Sequence, residues 1–308
     1  MIPNLGITHV SVHLPQRIDD LRTWAKRTGQ DDATVRGLER AGMGYYRNAD
    51  GEPAIGLAAS AIQRLIQASG VPSNSIDGLI YVHTLQGSVA PPPASLPGLL
   101  CHHFGFTNAD AFSLAQQHCA SALGALRVIR ATFMARPHIN RVLLVGADVM
   151  PLETERLVRG EGILSDGAFA ALIERNASLN RLLAIVTYAS GKGWRGTLAN
   201  DESSMAAQHF FTARSLICQA AQRANCALND IQRILPHHLD LPAWHRLLDS
   251  LKLPRGRLFD ENFARIGHVT VSDAFVNLAD CEDLVPGQPF ALFARGVGGF
   301  SAAALLVR

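Results

Sequence analysis

The chain has 308 residues, 48% hydrophobic and 18% charged, with 28 Lys and Arg against 26 Asp and Glu. That is too apolar and too evenly charged for a disordered chain, and 26 Gly and 15 Pro exclude the collagen-like and low-complexity classes. No basic stripe of the kind a nucleic-acid binder carries is visible, and no apolar run of about 18 residues reads as a transmembrane helix.

The first residues lack a basic segment followed by an apolar one, so no signal peptide is expected. Cysteines at 101, 119, 218, 226 and 281 make neither a disulfide framework nor a paired zinc motif. A reduced, cytoplasmic protein with no nucleic-acid or membrane partner follows. At roughly 150 residues per domain, the length suggests two core-forming units.

In chain order, 5–14 alternates loosely and stops at Pro15, which reads as a strand. Residues 18–40 have helical spacing broken at Thr28-Gly29, and Gly42 and Gly44 mark a loop. Residues 55–69 place Ile55, Leu57, Ala58, Ile62, Leu65 and Ile66 mostly on one face, so a helix is predicted, stopped by Gly70. A short apolar strand follows at 79–83. Pro91, Pro92 and Pro93 require a loop.

A short helix is expected at 96–104 and a brief strand at 111–114. Then comes Gln116-Gln117-His118-Cys119 and a long helix over 120–136. The run 141–147 is almost wholly apolar, as in a strand buried on both faces. Strands at 167–173 and 182–187 complete the first series.

The second half repeats the grammar. Helices are predicted at 211–224, 241–251 and 269–279. Strands are predicted at 233–237, 290–294 and 301–307, with Gly296-Val297-Gly298-Gly299 between the last two. Residues 61–80 resemble 216–235, an offset of 155, and 168–175 resemble 301–308, an offset of 133. Two matches in the same order suggest an internal duplication, dividing the chain into 1–175 and 176–308.

Cys119 is the leading chemical candidate. It follows a strand and opens a helix, where the positive end of the helix dipole favours thiolate. Its own backbone N–H is an unpaired first-turn donor, so nucleophile and oxyanion donor can come from one residue. Most free cysteines are buried hydrophobes, and the other four sit where only that role is expected.

His237 follows Pro236 at a strand end, and His268 follows Gly267 before a helix. A cysteine with one or two distant histidines is the pattern of a thiol nucleophile with acid–base partners. Cys101-His102-His103 lacks a second ligand cluster for zinc, and no metal site is expected. Gly296 to Gly299 is either a tight hairpin or a place where backbone N–H groups approach a carbonyl; it is not a dinucleotide motif.

Taken in order, these pieces resemble the thiolase superfamily, most closely β-ketoacyl-acyl-carrier-protein synthase III and its acyltransferase relatives, over nearly the whole chain. The segment 111–148 is similar to the family's nucleophile region. Pro236-His237-His238-Leu239-Asp240 matches the family's Pro-His-Gln-Ala-Asn at its first two positions. Gly267-His268-Val269-Thr270 stands where the family has Gly-Asn-Thr-Ser, and Gly298-Gly299 in its terminal glycine loop.

The resemblance implies an α/β, five-layered α-β-α-β-α fold built from two similar halves, and a homodimer or a heterodimer with a paralogue. It implies that Cys119 takes an acyl group from a coenzyme A or carrier-protein thioester, with no cofactor. The N–H groups of Cys119 and Gly298 would hold the oxyanion, and His237 would bind the second substrate or move protons. Arg36 stands nearest the tryptophan that stacks on coenzyme A in the typical synthase, and Arg40 matches the loop arginine.

The first implied activity is condensation with a malonyl-type thioester with loss of carbon dioxide, in a specialised fatty-acid or polyketide-type pathway. The second is acyl transfer to an oxygen or nitrogen acceptor, with His268 as base in place of the family's Asn. The third is an idle partner subunit of a condensing enzyme. An acyl carrier protein is a possible partner, although the arginine that contacts it in the family is absent near Leu241-Pro242. Loops around 85–96 and 191–206 would shape the pocket.

Overall fold

The computed structural model describes residues 4–308 apart from 86–87, 91–92, 159, 192–193 and 195–201, with the side chains of 202–207 left aside. Two of the prolines expected in a loop, Pro91 and Pro92, a part of the loop 85–96 and most of the loop 191–206 lie outside the described residues.

The first half runs β1 (Leu5–His13), β2 (Arg17–Asp20), α1 (Leu21–Thr28), α2 (Asp32–Arg40), β3 (Tyr45–Asn48), α3 (Ala54–Ser69), β4 (Gly78–Val82), α4 (Leu96–Phe104), β5 (Asp110–Leu114), α5 (Ser121–Ala135), β6 (Arg141–Asp148), β7 (Leu157–Val158), β8 (Gly162–Ile163) and β9 (Gly167–Arg175). The second runs β10 (Arg181–Ala189), α6 (Glu202–Arg223), β11 (Arg233–Leu235), α7 (Leu241–Leu251), α8 (Glu261–Ile266), α9 (Asp273–Asp280), β12 (Pro289–Gly296) and β13 (Phe300–Val307).

Besides the pairs β2-β3 and β7-β8, nine strands form one array that divides into two sheets, β5-β4-β6-β9-β1 and β10-β13-β12-β11, because β1 and β10 are joined only through the pair Gly6 and Arg181. The pairing repeats between them. β4 and β6 are parallel, as are β11 and β12. β6 with β9 and β12 with β13 are antiparallel, as are β9 with β1 and β13 with β10. Even the irregularity repeats: β1 slips register between Ile7 and His9, opposite Ile173 and Leu172, and β10 between Leu182 and Ala184, opposite Leu306 and Leu305. Those partners are 133 positions apart, the offset seen in the sequence. A one-residue bulge is a specific feature, and its recurrence at the same register is hard to obtain without common descent of the halves.

Helix α3 covers the outer face of the first sheet, and α6, with α7 behind it, covers that of the second. Between the sheets lie α5 and α9, each touching strands of both. The resulting layers are α-β-α-β-α. The apolar run of β6 is explained by this position. Val142 and Leu144 join the central core with Leu123, Leu126, Ile129 and Phe275, whereas Leu143 and Val145 join the outer core with Leu57, Ile62 and Leu65. A side chain on either face leaves water, each contributing about 1.5–3 kcal/mol.

Some local expectations are corrected. The helical reading of 18–40 with its break at Thr28-Gly29 holds for α1 and α2, and only its first residues differ. Arg17–Asp20 pairs with Tyr45–Asn48, and two short helices follow. Aspartates cap both: Asp20 accepts from the N–H groups of Arg22 and Thr23, and Asp31 from that of Thr34. Strand β11 stops at Leu235, so His237 lies in the loop beyond it. The helix read over 269–279 is a tight 3-10 turn at Thr270–Ser272 followed by α9, and α6 starts well before residue 211.

Candidate active site

Cys119 sits in a 3-10 turn, His118–Ala120, that leads into α5. His118 has a left-handed backbone, φ 50°, which a residue with a Cβ adopts at a cost. The turn is held from the second half. A Cβ on Gly296 would lie 2.1 Å from the Gln117 carbonyl oxygen, so only glycine allows the end of β12 to rest on the turn that carries Cys119. Gly298, in the hairpin after β12, has φ 83°. Cys119 itself is 5% exposed.

Two groups reach its sulfur. His268 Nε2 lies 3.5 Å from Sγ, and the Thr84 hydroxyl donates to it at 3.4 Å. The other His268 nitrogen, Nδ1, meets Asp273 Oδ2 at 2.5 Å. Asp273, the first residue of α9, was not singled out in the sequence. It also accepts from the backbone N–H of Val269 at 2.7 Å and of His238 at 2.8 Å. Cys119, His268 and Asp273 thus stand in line, all buried.

Burial opposes charge on His268, but the Asp273 carboxylate and Cys119 outweigh it, and the His268 pKa is raised to about 10. Burial would push Asp273 up, but His238 and His268 beside it hold its carboxyl below the usual value.

His237 is buried with its ring against Trp244, Phe293 and His268, whose centroids lie 5.4, 5.5 and 6.4 Å away. Burial, reinforced by Arg295, pushes its pKa well below 6.5, so it is neutral. Its Nδ1 has no partner among the described residues. His237 forms one wall of a cavity of about 390 Å³ whose other walls include Phe210, Trp244, Leu247 and Phe293. The charges lining it fall in two pairs, Glu161 with Arg295 and Asp240 with Arg246, and Arg295 also donates to His209.

A buried carboxylate ties the two sides of Cys119 together. Asp148 ends β6 and accepts from the backbone N–H groups of Thr84 and Leu85 at 2.8–3.0 Å. It also accepts from the hydroxyl of Thr270, in the turn before Asp273. Burial pushes its pKa up.

The structure therefore brings Cys119 and His268 into contact and sets His237 beside them. Arg36 and Arg40 lie exposed on α2 and do not line the cavity. Cys101 is half-buried on α4 with His102 and His103 exposed, and no metal-holding cluster of His, Cys, Asp or Glu occurs among the described residues. Burial pushes up the Cys101 and Cys226 thiols and, with Asp283 alongside, takes Cys281 to about 12. No described helix is long and apolar enough to cross a membrane.

Asp273 had a legible position, five residues after His268 at the start of a helix. Thr84 and Asp148 gave no local signal, since sheet topology alone joins them to Cys119.

A family model for the C-terminal part of 3-oxoacyl-[acyl-carrier-protein] synthase III matches residues 221–308. The β-ketoacyl-[acyl-carrier-protein] synthase III of Rubrobacter xylanophilus is 26% identical, over 81% of this chain and 82% of its own. That of Streptococcus suis is 23% identical over 98% of both chains. Among solved structures, the fold matches ChlB3, described as an acyltransferase, with TM-score 0.87, 21% identity and coverage of 99% and 98%. It also matches the synthase III of Pseudomonas aeruginosa, with TM-score 0.85, 18% identity and the same coverage. Family model, relatives and layered fold agree in one likeness: this chain is similar to β-ketoacyl-[acyl-carrier-protein] synthase III and shares its layered fold.

Proposed function

We propose that the protein transfers an acyl group from a thioester, through Cys119, to a hydroxyl or amino group of a small acceptor. The observation that carries this reading is the 2.5 Å contact between His268 Nδ1 and Asp273. A carboxylate accepts only, so Nδ1 keeps its proton and Nε2, facing Cys119, is left to take or give one. That is a base. Decarboxylative condensation instead needs a group that donates to the enolate oxygen, as the family's Asn always does.

The cycle balances without a cofactor. The Cys119 thiolate attacks the thioester carbonyl, and the N–H groups of Cys119 and Gly298 hold the oxyanion. Collapse expels the donor thiolate, which leaves with the proton from His268 Nε2. The acceptor X–H then attacks the acyl-enzyme as neutral His268 takes its proton. Collapse expels the Cys119 thiolate and restores the ion pair.

His237, neutral and with a free Nδ1, orients the acceptor at the wall of the aromatic cavity. Arg36 and Arg40 serve the donor's carrier, either coenzyme A or an acyl carrier protein. The halves 1–175 and 176–308 share the work, and a second copy pairs at the edge strand β5, where Phe112 is 38% exposed. The pathway is a specialised fatty-acid or polyketide-type one.

The test begins with acyl thioesters of varied length and intact mass spectrometry. An adduct that disappears in Cys119→Ala is expected; no adduct with any thioester would leave the idle-subunit reading. The acyl-enzyme is then offered malonyl thioester or amines and alcohols. Transfer without carbon dioxide release supports the proposal, and carbon dioxide release dependent on His268 replaces it with condensation.

A further inference from the structure

His238 stands immediately after His237, where the resembled motif has Gln. It is fully buried and is not among the residues that line the aromatic cavity. Its surroundings nevertheless fix its chemistry.

Both ring nitrogens face oxygen. Nδ1 lies 2.7 Å from the Gly267 carbonyl oxygen and 3.2 Å from Asp273 Oδ1. Nε2 lies 2.7 Å from Asn277 Oδ1. The first partners can only accept. For Asn277 the amide orientation matters, and a chain of contacts settles it. The Arg265 guanidinium donates to Asn262 Oδ1, which leaves Asn262 Nδ2 to donate, to Asn277 Oδ1 at 2.9 Å and to Asp280 at 3.1 Å. Asn277 Nδ2 donates to the Pro236 carbonyl at 2.8 Å. Turning Asn277 over would set its oxygen against that carbonyl and its NH2 against the NH2 of Asn262. Asn277 Oδ1 therefore accepts, and His238 must donate from both nitrogens.

We propose that His238 is a buried imidazolium that neutralises Asp273 from behind and so positions the charge of the Cys119–His268 pair. Charge counting supports it. In the thiolate form that attacks a thioester, Cys119 together with Asp273 carries two negative charges, and His268 only one positive. An unbalanced charge among groups 0–5% exposed is costly. With His238 charged, the cluster sums to zero. The titratable groups facing it are Cys119, His268 and His237, with Asp148 behind Thr270 and with Arg265 and Asp280 beyond Asn262.

The consequence for acyl transfer rests on the function proposed above; the protonation does not. A second cation on Asp273 weakens its hold on the His268 proton. His268 can then release that proton to the departing thiolate and serve as base in the next step.

The direct test is nitrogen NMR of the full chain with 15N-labelled histidine at about pH 8, assigned through the backbone. Two protonated ring nitrogens are expected for His238 and one bare nitrogen for His237. A bare nitrogen on His238 overturns the proposal whatever the protein's activity. The second test follows hydrolysis of acyl-Cys119 by intact mass in His238→Gln. Loss of one nearby charge predicts about tenfold slower deacylation near pH 7, recovering to the wild-type rate as pH rises. Equal slowing at every pH, or none, refutes the positioning role. Should the variant not fold, the NMR result on the unaltered protein still decides the protonation.

Discussion

The two central helices, α5 and α9, occupy corresponding places in the two halves, and each is entered through a 3-10 turn. The first turn is His118–Ala120 and the second Thr270–Ser272. Each begins with a left-handed residue, His118 at φ 50° and Thr270 at φ 51°. The same strained device is used twice for different ends. In the first half it lifts Cys119 toward the glycine hairpin. In the second, Val271 at the matching position goes into the core, and the hydroxyl of Thr270 anchors the turn to Asp148. The loop before it can then carry His268, and the helix after it Asp273. The two halves share the scaffold, and a few differing residues set Cys119 in one and His268 with Asp273 in the other.

The largest expected effects test that division. Cys119→Ala should abolish the acyl adduct, read by intact mass. Asp273→Asn should leave the adduct chemistry possible but slow turnover about a hundred- to ten-thousand-fold, because the amide can donate to Nδ1 and stabilise the wrong tautomer. A near-normal rate would mean that Asp273 does not orient His268.

The same pair gives a pH signature. The folded-state pKa of His268 is raised from 6.5 to about 10, so its stabilising contribution is complete below about 6.5 and lost as pH rises through about 10. Melting temperatures of wild type and Asp273→Asn should therefore converge toward the alkaline end of that window. Gly296→Ala, which puts a Cβ against the Gln117 carbonyl, should cost about 1–3 kcal/mol in denaturant unfolding and disturb the Cys119 turn.

Legibility in the sequence followed the range of the forces. The 155 and 133 offsets are local similarities, and the repeated strand pairing and bulge follow from them. The apolar run of β6 announced a strand covered on both faces. Cys119, His237 and His268 are legible because element boundaries and a family's motif order mark such residues. Asp273 did not, since an Asp at a helix start reads first as an ordinary cap. Thr84 and Asp148 depend on β4 and β6 being neighbours, a pairing between residues 64 positions apart that no local pattern encodes. His238 was passed over because what distinguishes it is the orientation of two buried amides.

The smallest effect separates the two turns most finely. Glycine carries no penalty at φ near 50°, so replacing either left-handed residue relieves roughly 1 kcal/mol of backbone strain and gives back about as much in unfolded-chain entropy. His118→Gly should thus change stability by less than about 1 kcal/mol. Thr270→Gly gains the same relief but removes a hydroxyl donor from buried Asp148, which costs about 1–3 kcal/mol. The second variant should be the less stable of the two in urea, by a margin that Thr270→Ser, keeping the hydroxyl, does not show. Equal losses in both glycine variants would mean that strain, and not the bond to Asp148, distinguishes the turn that holds the histidine from the turn that holds the thiol.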